Sequence, residues 1–517
     1  MTFDRPLAIA ALLIVTFVYA LAAYATWPTL VFSVDSWSLV ELARSFERHA
    51  PFEFNTYRSY ATDRYSASFP LGYPFLLFLA RRMLGTADSV GVLINVAAAA
   101  ATLACMVRAS RKASGSGTPG LVAGVALLTY TPYMDEVFAA RTIPVTLFAL
   151  ICAVLAASRY INTANAWNAA MAGAFAGLAM LLRFDAVVFA ILLGVALALR
   201  TRIARTTAVY FLAAAVVASP WIVFSWTHFG RLWFSDNAWV ATSAVRAYVL
   251  DYPAHASLTL GSDPGAWLRK FFANCLPFVA SLGAGVIRCP AVLVLFSGWA
   301  WLRWRHHRAE APSGEVPGKD APREDAPVGF YQAALAISFL ALLPQLTLGY
   351  FETRYWSLLW CLTCFVLALS LSRTSALASR KAVTAVGRSA AALAAVLALA
   401  LAASAAPAMR TDAILVSQRT SVLEGIRLED AMLFALHSCH LAEPRTFYVM
   451  SSLRRAARYG ARYGDRVAFL PNNWDALSAD TRADFVSRLG SVRFVDEAAA
   501  QRVSEAGQCS SLQTKEG

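Results

Sequence analysis

Charge is scarce in this sequence. Asp, Glu, Lys and Arg make up 15% of the 517 residues, against about 25% in soluble domains. Hydrophobic residues reach 58%, above the roughly 45–50% of soluble chains. Together these exclude a disordered chain and an ordinary soluble enzyme. Lysine is nearly absent, with Lys112, Lys270, Lys319, Lys381 and Lys515 the whole set. A GC-rich genome, rich in Arg and Ala codons, accounts for that without a functional reading. Cysteine is too sparse for a disulfide scaffold, with 8 in the chain. Histidine is also rare, and His49, His228 and His255 show no ligand spacing. No metal site is visible and no cofactor is implied, although the pattern leaves a divalent metal open. No internal repeat is apparent.

The net charge of +13 would point to nucleic acid in a soluble protein. In an apolar chain the basic residues must first be sorted by side of the membrane. Largely uncharged windows occur at 6–34, 89–107, 113–134, 142–158, 160–182, 184–199, 206–227, 289–302, 326–351, 355–372 and 389–409. That gives about eleven spans of the roughly 17–25 residues needed. The 289–302 window extends back to 284 past Arg288, which can snorkel. Residues 7–27 are too long for a signal peptide and lack a clear cleavage site.

With the N-terminus inside, the inner loops collect Arg5, Arg108, Arg111, Lys112, Arg159, Arg200, Arg202, Arg205, the basic residues of 303–328, and Arg373, Arg380, Lys381 and Arg388. The short outer loops carry Arg141, Arg183 and Arg354. This asymmetry sets the N-terminus inside and, with an odd span count, the C-terminus outside. A transmembrane domain at 1–410 then has a first outer loop at about 28–88, a second at about 228–283, and a Pro- and charge-rich inner tether at about 303–328. The remainder, 411–517, reads as a small outer α/β domain. TFYVMSS (446–452), RVAFLP (466–471) and SVRFVD (491–496) are strand-like, with helical patterns between them.

Cysteine placement agrees with this. Cys105, Cys152, Cys275, Cys289, Cys361 and Cys364 fall in or beside apolar stretches and read as small buried hydrophobes. The Cys361-x-x-Cys364 spacing lies mid-span without polar company. Cys439 and Cys509 are the two cysteines of the outer domain, where a disulfide is expected.

The placement of the remaining charges is the informative feature. Asp35, Asp135, Glu136, Arg141, Arg183, Asp185, Glu352 and Arg354 all fall at the outer ends of spans. Almost none lies mid-span, where transporters carry ionisable groups. The chemistry therefore faces one membrane surface. Asp35 follows the first span at the apolar boundary. There a partly desolvated carboxylate serves as a base, or it caps a helix starting at Ser36. The segment PLGYPFLLFLARRMLG (70–85) is too short to span and fits an interfacial helix.

These residues carry a resemblance. The Asp35 segment followed by PLGYPFLLFLARRMLG resembles membrane glycosyltransferases of the C-type fold (GT-C), in particular bacterial relatives of the protein O-mannosyltransferases and of the lipid A aminoarabinose transferase. GLAMLLRFDA (177–186) and ETRYW (352–356) add matches in the same order. The resemblance covers about 1–410. It implies a polytopic α-helical enzyme that moves a sugar, with inversion, from a polyprenyl-phosphate donor to a protein or glycolipid acceptor. The reaction would lie on the periplasmic face of a bacterial inner membrane, with no nucleic acid partner. It implies Asp35 as the catalytic group. Where relatives carry a second acid, this chain reads MDEVFAARTIP, so Asp135 or Glu136 stands in for it. Ser36 occupies a position that is acidic in several relatives.

Arginine's planar fork suits a lipid phosphate. The candidates are Arg58, Arg64, Arg183 and Arg354. The bland alternatives are an Arg183–Asp185 pair, an Arg354–Glu352 pair, and solvated loop positions for Arg58 and Arg64. Tyr355, Tyr65 and Tyr60 are candidates for stacking on a sugar. The competing functional class is a transporter or other non-catalytic handler of a polyprenyl-linked glycan.

The topology is directly testable. A reporter active only outside the cytoplasm, fused after Gly517, is expected to be active. Activity from a cytoplasm-only reporter at that position would overturn the orientation.

Overall fold

The computed structural model describes residues 34–49, 51–52, 65, 67, 69–84, 90–128, 130–235, 264–289, some positions in 292–300, 326–348, 353–376 and three short tail segments. Fourteen α-helices can be followed. They are α1 (Val34–Glu47), α2 (Gly72–Leu84), α3 (Val90–Ser114), α4 (Thr118–Leu128), α5 (Thr131–Phe138), α6 (Ile143–Thr163), α7 (Ala166–Leu182), α8 (Ala186–Thr201) and α9 (Ala204–Phe229), followed by α10 (Pro264–Ala273), α11 (Cys275–Arg288), α12 (Ala326–Leu340), α13 (Gln345–Leu348) and α14 (Ser357–Ala376). A 3₁₀ turn, Thr353–Trp356, leads into α14.

Among the described residues, six helical segments are long and apolar enough to cross a membrane. The other spans expected from sequence meet several fates. The 113–134 window breaks into α4 and α5 around Tyr130, with Pro132 near the start of α5. The 160–182 and 184–199 windows become the shorter apolar helices α7 and α8. The expected second outer loop is too long at its C-terminal end. Residues Pro264–Arg288 form α10 and α11, themselves a candidate span. Trp267, Leu268 and Phe271 make that region apolar despite Arg269 and Lys270, the charges that hid it in a charge-marked scan. The 389–409 window, most of the 6–34 window and the tether lie outside the described residues.

Lipid offers little hydrophobic drive for helix association, so spans pack through close backbone approach. Helix α7 lies between α6 and α9 and does this with Ala169, Gly173 and Gly177 at four-residue spacing. A Cβ on Gly173 would collide with the Tyr210 carbonyl of α9, and one on Gly177 with the Ala214 carbonyl. Tyr210 also donates to Ala190 O of α8 at 2.7 Å. Helix α9 continues through Pro220. The proline cannot donate to Val216 O, and the Ser219 hydroxyl donates there instead, at 2.8 Å. Asn165 caps α7 by accepting from Trp167 N at 2.9 Å.

A largely aromatic cluster holds α1 against the end of α9. Leu42, Phe52, Ala67, Phe184, Trp221 and Phe234 are its buried members. Arg81 of α2 adds an ion pair to Glu47 of α1 at 2.8 Å. Helix α2 leaves Phe75, Leu79, Met83 and Leu84 exposed, as an interfacial helix does.

In the tail, β1 (Phe447–Met450), β2 (Val467–Leu470) and β3 (Arg493–Phe494) form a parallel sheet in that order. They coincide with the three strand-like segments of the sequence. The expected helices between them, and Cys439 and Cys509, lie outside the described residues.

Replacing Gly177 by Leu should separate α7 from α9. The expected result is a fall in Tm of the detergent-purified protein, reflecting a loss of about 1–3 kcal/mol or more from overpacking. An unchanged melting curve would refute the close-approach role.

Candidate functional site

The outer-end charges converge although they are far apart in sequence. Glu136 sits on α5 at 1% exposure. Its Oε1 accepts from Arg141 Nη1 at 2.7 Å and from Arg354 Nη1 at 3.0 Å. Arg354 Nη2 lies 3.3 Å from Asp35 Oδ2 and 3.5 Å from the Tyr355 hydroxyl. The result is a chain of alternating charge, Arg141–Glu136–Arg354–Asp35, drawn from four parts of the fold.

Each member is held by its own element. Asp35 lies in the first turn of α1, since the helix begins at Val34. It is therefore not the cap of a helix starting at Ser36, though a carboxylate still favours that turn. Ser36 is fully buried, and its hydroxyl donates to Ala139 O in the turn after α5. An acid at this position would be a buried charge facing a carbonyl, which is a physical reason for serine here.

Helix α5 ends with carbonyls that lack intrahelical partners. Asn95 of α3, fully buried, supplies them: its Nδ2 donates to Arg141 O at 2.9 Å, Glu136 O at 3.1 Å and Val137 O at 3.4 Å. Tyr73 of α2 donates to Asn95 Oδ1 at 3.0 Å. This node fixes the backbone that carries Glu136.

The turn bearing Arg354 is pinned at several points. The Ser357 hydroxyl donates to Arg354 O at 2.6 Å. Tyr130 donates to Thr353 O, and Arg288 Nη1 donates to Thr353 Oγ1 at 3.0 Å. Trp356 Nε1 donates to Ser281 Oγ of α11 at 3.0 Å.

Arg183 ends α7 with extended backbone. Phe184 joins the aromatic cluster, while Arg183 and Asp185 on either side of it pair with each other. Their contact is bidentate, Nε to Oδ1 and Nη2 to Oδ2, both at 2.9 Å. Arg183 Nη1 also reaches Thr142 Oγ1 at 3.3 Å. The guanidinium carbons of Arg183 and Arg354 lie 5.0 and 5.3 Å from the centre of the Tyr355 ring, so one aromatic ring contacts both cations.

These cations border a cleft that opens to solvent. Arg183, Asp185, Arg354 and Tyr355 form its polar mouth. Its walls are apolar: Ile143, Leu147 and Leu150 from α6, Ala186 and Phe189 from α8, Ala341 and Leu342 after α12, and Leu358 from α14. The spacing of 143, 147 and 150 places these residues on one face of α6. The cleft is thus charged at one end and oily along its length.

Several sequence candidates stand elsewhere. Asp135 is exposed and shares none of these hydrogen bonds among the described residues. Crowding by its surroundings and, after that, the Glu136 carboxylate raise its carboxyl above the ordinary value. Tyr65 stacks on His228 with ring centres 4.0 Å apart and does not line the cleft. Arg183 does pair with Asp185, and it faces the cleft as well. Arg58, Arg64, Tyr60 and Glu352 lie outside the described residues. Sequence reading missed Asn95, Tyr73 and Thr142; their one signal was a polar side chain at or near a span end. No group of three or more His, Cys, Asp or Glu able to hold a metal occurs among the described residues.

No family model and no curated protein matches this chain. Solved structures do. The crystal structure of ArnT from Cupriavidus metallidurans bound to undecaprenyl phosphate matches with a TM-score of 0.50 and 13% identity, over 96% of this chain and 90% of that one. The archaeal oligosaccharyltransferase AglB from Archaeoglobus fulgidus, in complex with an inhibitory peptide and a dolichol-phosphate, matches with a TM-score of 0.49 and 13% identity, over 98% of this chain and 69% of that one. The first likeness gives this chain the fold of ArnT, in agreement with the GT-C resemblance of the sequence.

The Asn95 node can be tested independently of any substrate. Asn95→Ala removes a donor from the end of α5 and an acceptor from Tyr73. Each buried group left unsatisfied costs about 1–3 kcal/mol. A clear drop in Tm is expected, and a variant as stable as wild type would show that the node does not hold α5.

Proposed function

We propose that the chain is an inverting glycosyltransferase. It moves a sugar from a polyprenyl-phosphate donor to a protein, lipid A or glycan acceptor at the outer, periplasmic face of a bacterial inner membrane. The observation that carries this reading is the amphiphilic cleft: two arginines at its mouth, one of them bonded to Asp35, and apolar walls below. Such a shape fits an anionic head on a long hydrocarbon tail. The neighbour with the shared fold is, by its description, bound to undecaprenyl phosphate, which supports the same ligand class here.

The chemistry follows from the groups present. The donor phosphate sits at Arg354 and Arg183, and the lipid tail runs along Ile143, Leu147 and Leu150. Asp35 accepts the proton of the acceptor hydroxyl. The acceptor oxygen forms its bond to the anomeric carbon as the bond from that carbon to the phosphate oxygen breaks. The electron pair leaves with the lipid phosphate, and the arginines stabilise the charge that develops there. Asp185 and Thr142 orient Arg183, while Glu136 orients Arg354. The attack and departure occur on opposite faces of the sugar, so configuration inverts. The 411–517 segment is proposed as an outer α/β domain, with a Cys439–Cys509 disulfide.

Two measurements test this. In transfer assays with a polyprenyl-phosphate sugar, Asp35→Asn should fold normally and lose roughly 10²–10⁴-fold in turnover, as expected for removal of a general base. Near wild-type turnover would remove Asp35 from the chemistry. Arg183→Ala and Arg354→Ala should each weaken donor use. Lysine should rescue only partly, because a point charge cannot make the forked contact. Full activity of the double alanine variant would refute the phosphate site.

A further inference from the structure

The charge chain contains a conflict. Arg354 is assigned to the donor phosphate, yet in this structure its Nη2 lies against the carboxylate that must act on the acceptor. A carboxylate held by an arginine is a poorer proton acceptor than one released from it. The contacts of Arg354 with Glu136 and Asp35 are also unequal. The one to Glu136 is 3.0 Å long, to a side chain 1% exposed that Arg141 grips from the other side at 2.7 Å. The one to Asp35 is 3.3 Å long, to a side chain 38% exposed. Charge-assisted N–H···O bonds usually lie near 2.7–2.9 Å, so the Asp35 contact is the loose one. Losing it costs little, because Asp35 can turn to solvent. Losing the Glu136 contact would strip a buried carboxylate of one of its two cations.

We propose that Asp35 and the lipid phosphate compete for the same arm of Arg354, so that arrival of the donor releases the catalytic carboxylate for the acceptor. Resting on the glycosyltransferase reading above, this assigns Glu136 as the positioning residue that keeps Arg354 in place during the exchange, not as a second acid on the acceptor. Donor binding then precedes base activation. An acceptor reaching the empty enzyme meets a carboxylate already occupied by an arginine.

Competition has a thermodynamic signature that a simple base lacks. If Asp35 must give up Arg354 for the phosphate to bind, neutralising Asp35 should tighten binding. The test uses undecaprenyl phosphate itself, titrated against the full-length protein in detergent micelles. Relative to wild type, Asp35→Asn should lower Kd by about 1.5- to 5-fold, the range of a partly exposed ion pair. Asp35→Ser should do the same and serves if the Asn variant folds poorly. Asp135→Asn removes the carboxylate next to Glu136 in the chain, which shares none of the described hydrogen bonds of Arg354, and should leave Kd unchanged. Glu136→Gln should raise Kd by loosening Arg354.

An unchanged or weaker affinity in both Asp35 variants, with wild type binding well, would overturn the competition alone. Equal gains from the Asp35 and Asp135 variants would mean general repulsion and would also overturn it. Failure of wild-type protein to bind undecaprenyl phosphate would overturn the glycosyltransferase reading, and this inference with it.

Discussion

The buried carboxylate of Glu136 is the constraint on which the site depends. A carboxylate at 1% exposure cannot stay charged without partners, because desolvation of one ion costs several kcal/mol. Two arginines supply the compensation. They come from the turn after α5 and from the turn before α14, and the second lies 218 residues from Glu136 in sequence. Satisfying one carboxylate therefore fixes where distant segments meet. Asn95 and Tyr73 extend the constraint into the backbone, since the helix end that carries Glu136 has its carbonyls filled by a side chain from α3.

A site of this kind needs a rigid frame, and the frame is built from small residues. Helix α7 approaches α9 at Gly173 and Gly177, and it is the end of α7 that presents Arg183. A shift of this helix pair would move Arg183 away from Tyr355 and from Arg354. The aromatic cluster does the equivalent work for α1, the helix that carries Asp35, packing Leu42 with Phe52 and Trp221. Backbone packing and aromatic packing thus set the geometry of a set of charges that would otherwise repel or solvate.

The separation between polar mouth and apolar walls gives the cleft a direction. Its charges lie where spans end, and its walls are the spans themselves. A ligand that matches both ends must be an amphiphile lying with its head at the surface. On the proposed reading, the loose Arg354–Asp35 contact adds order in time to this order in space: the arginine assigned to the head also restrains the carboxylate assigned to the acceptor.

The sequence by itself pointed to the membrane class and to the gathering of charge at span ends. The scarcity of charge and its confinement to span ends are local properties, readable without contacts. The short helix α2 and the three strands of the tail followed from apolar length and alternation in the same way. Span boundaries were legible where charges bounded them, and failed at α10–α11, where Arg269 and Lys270 interrupt an apolar helix. Partners were not legible. Proximity in sequence offered Arg354 only Glu352, which lies outside the described residues; the fold brings it Glu136 and Asp35 as well. Asp135 and Glu136 are neighbours in sequence, but helix geometry sends one to solvent and the other into the interior. Asn95 looked like an ordinary polar residue in a span until α5 was placed against it. Which charges meet depends on how helices pack, and that packing is decided by many contacts between residues far apart in the chain, not by the pattern along it.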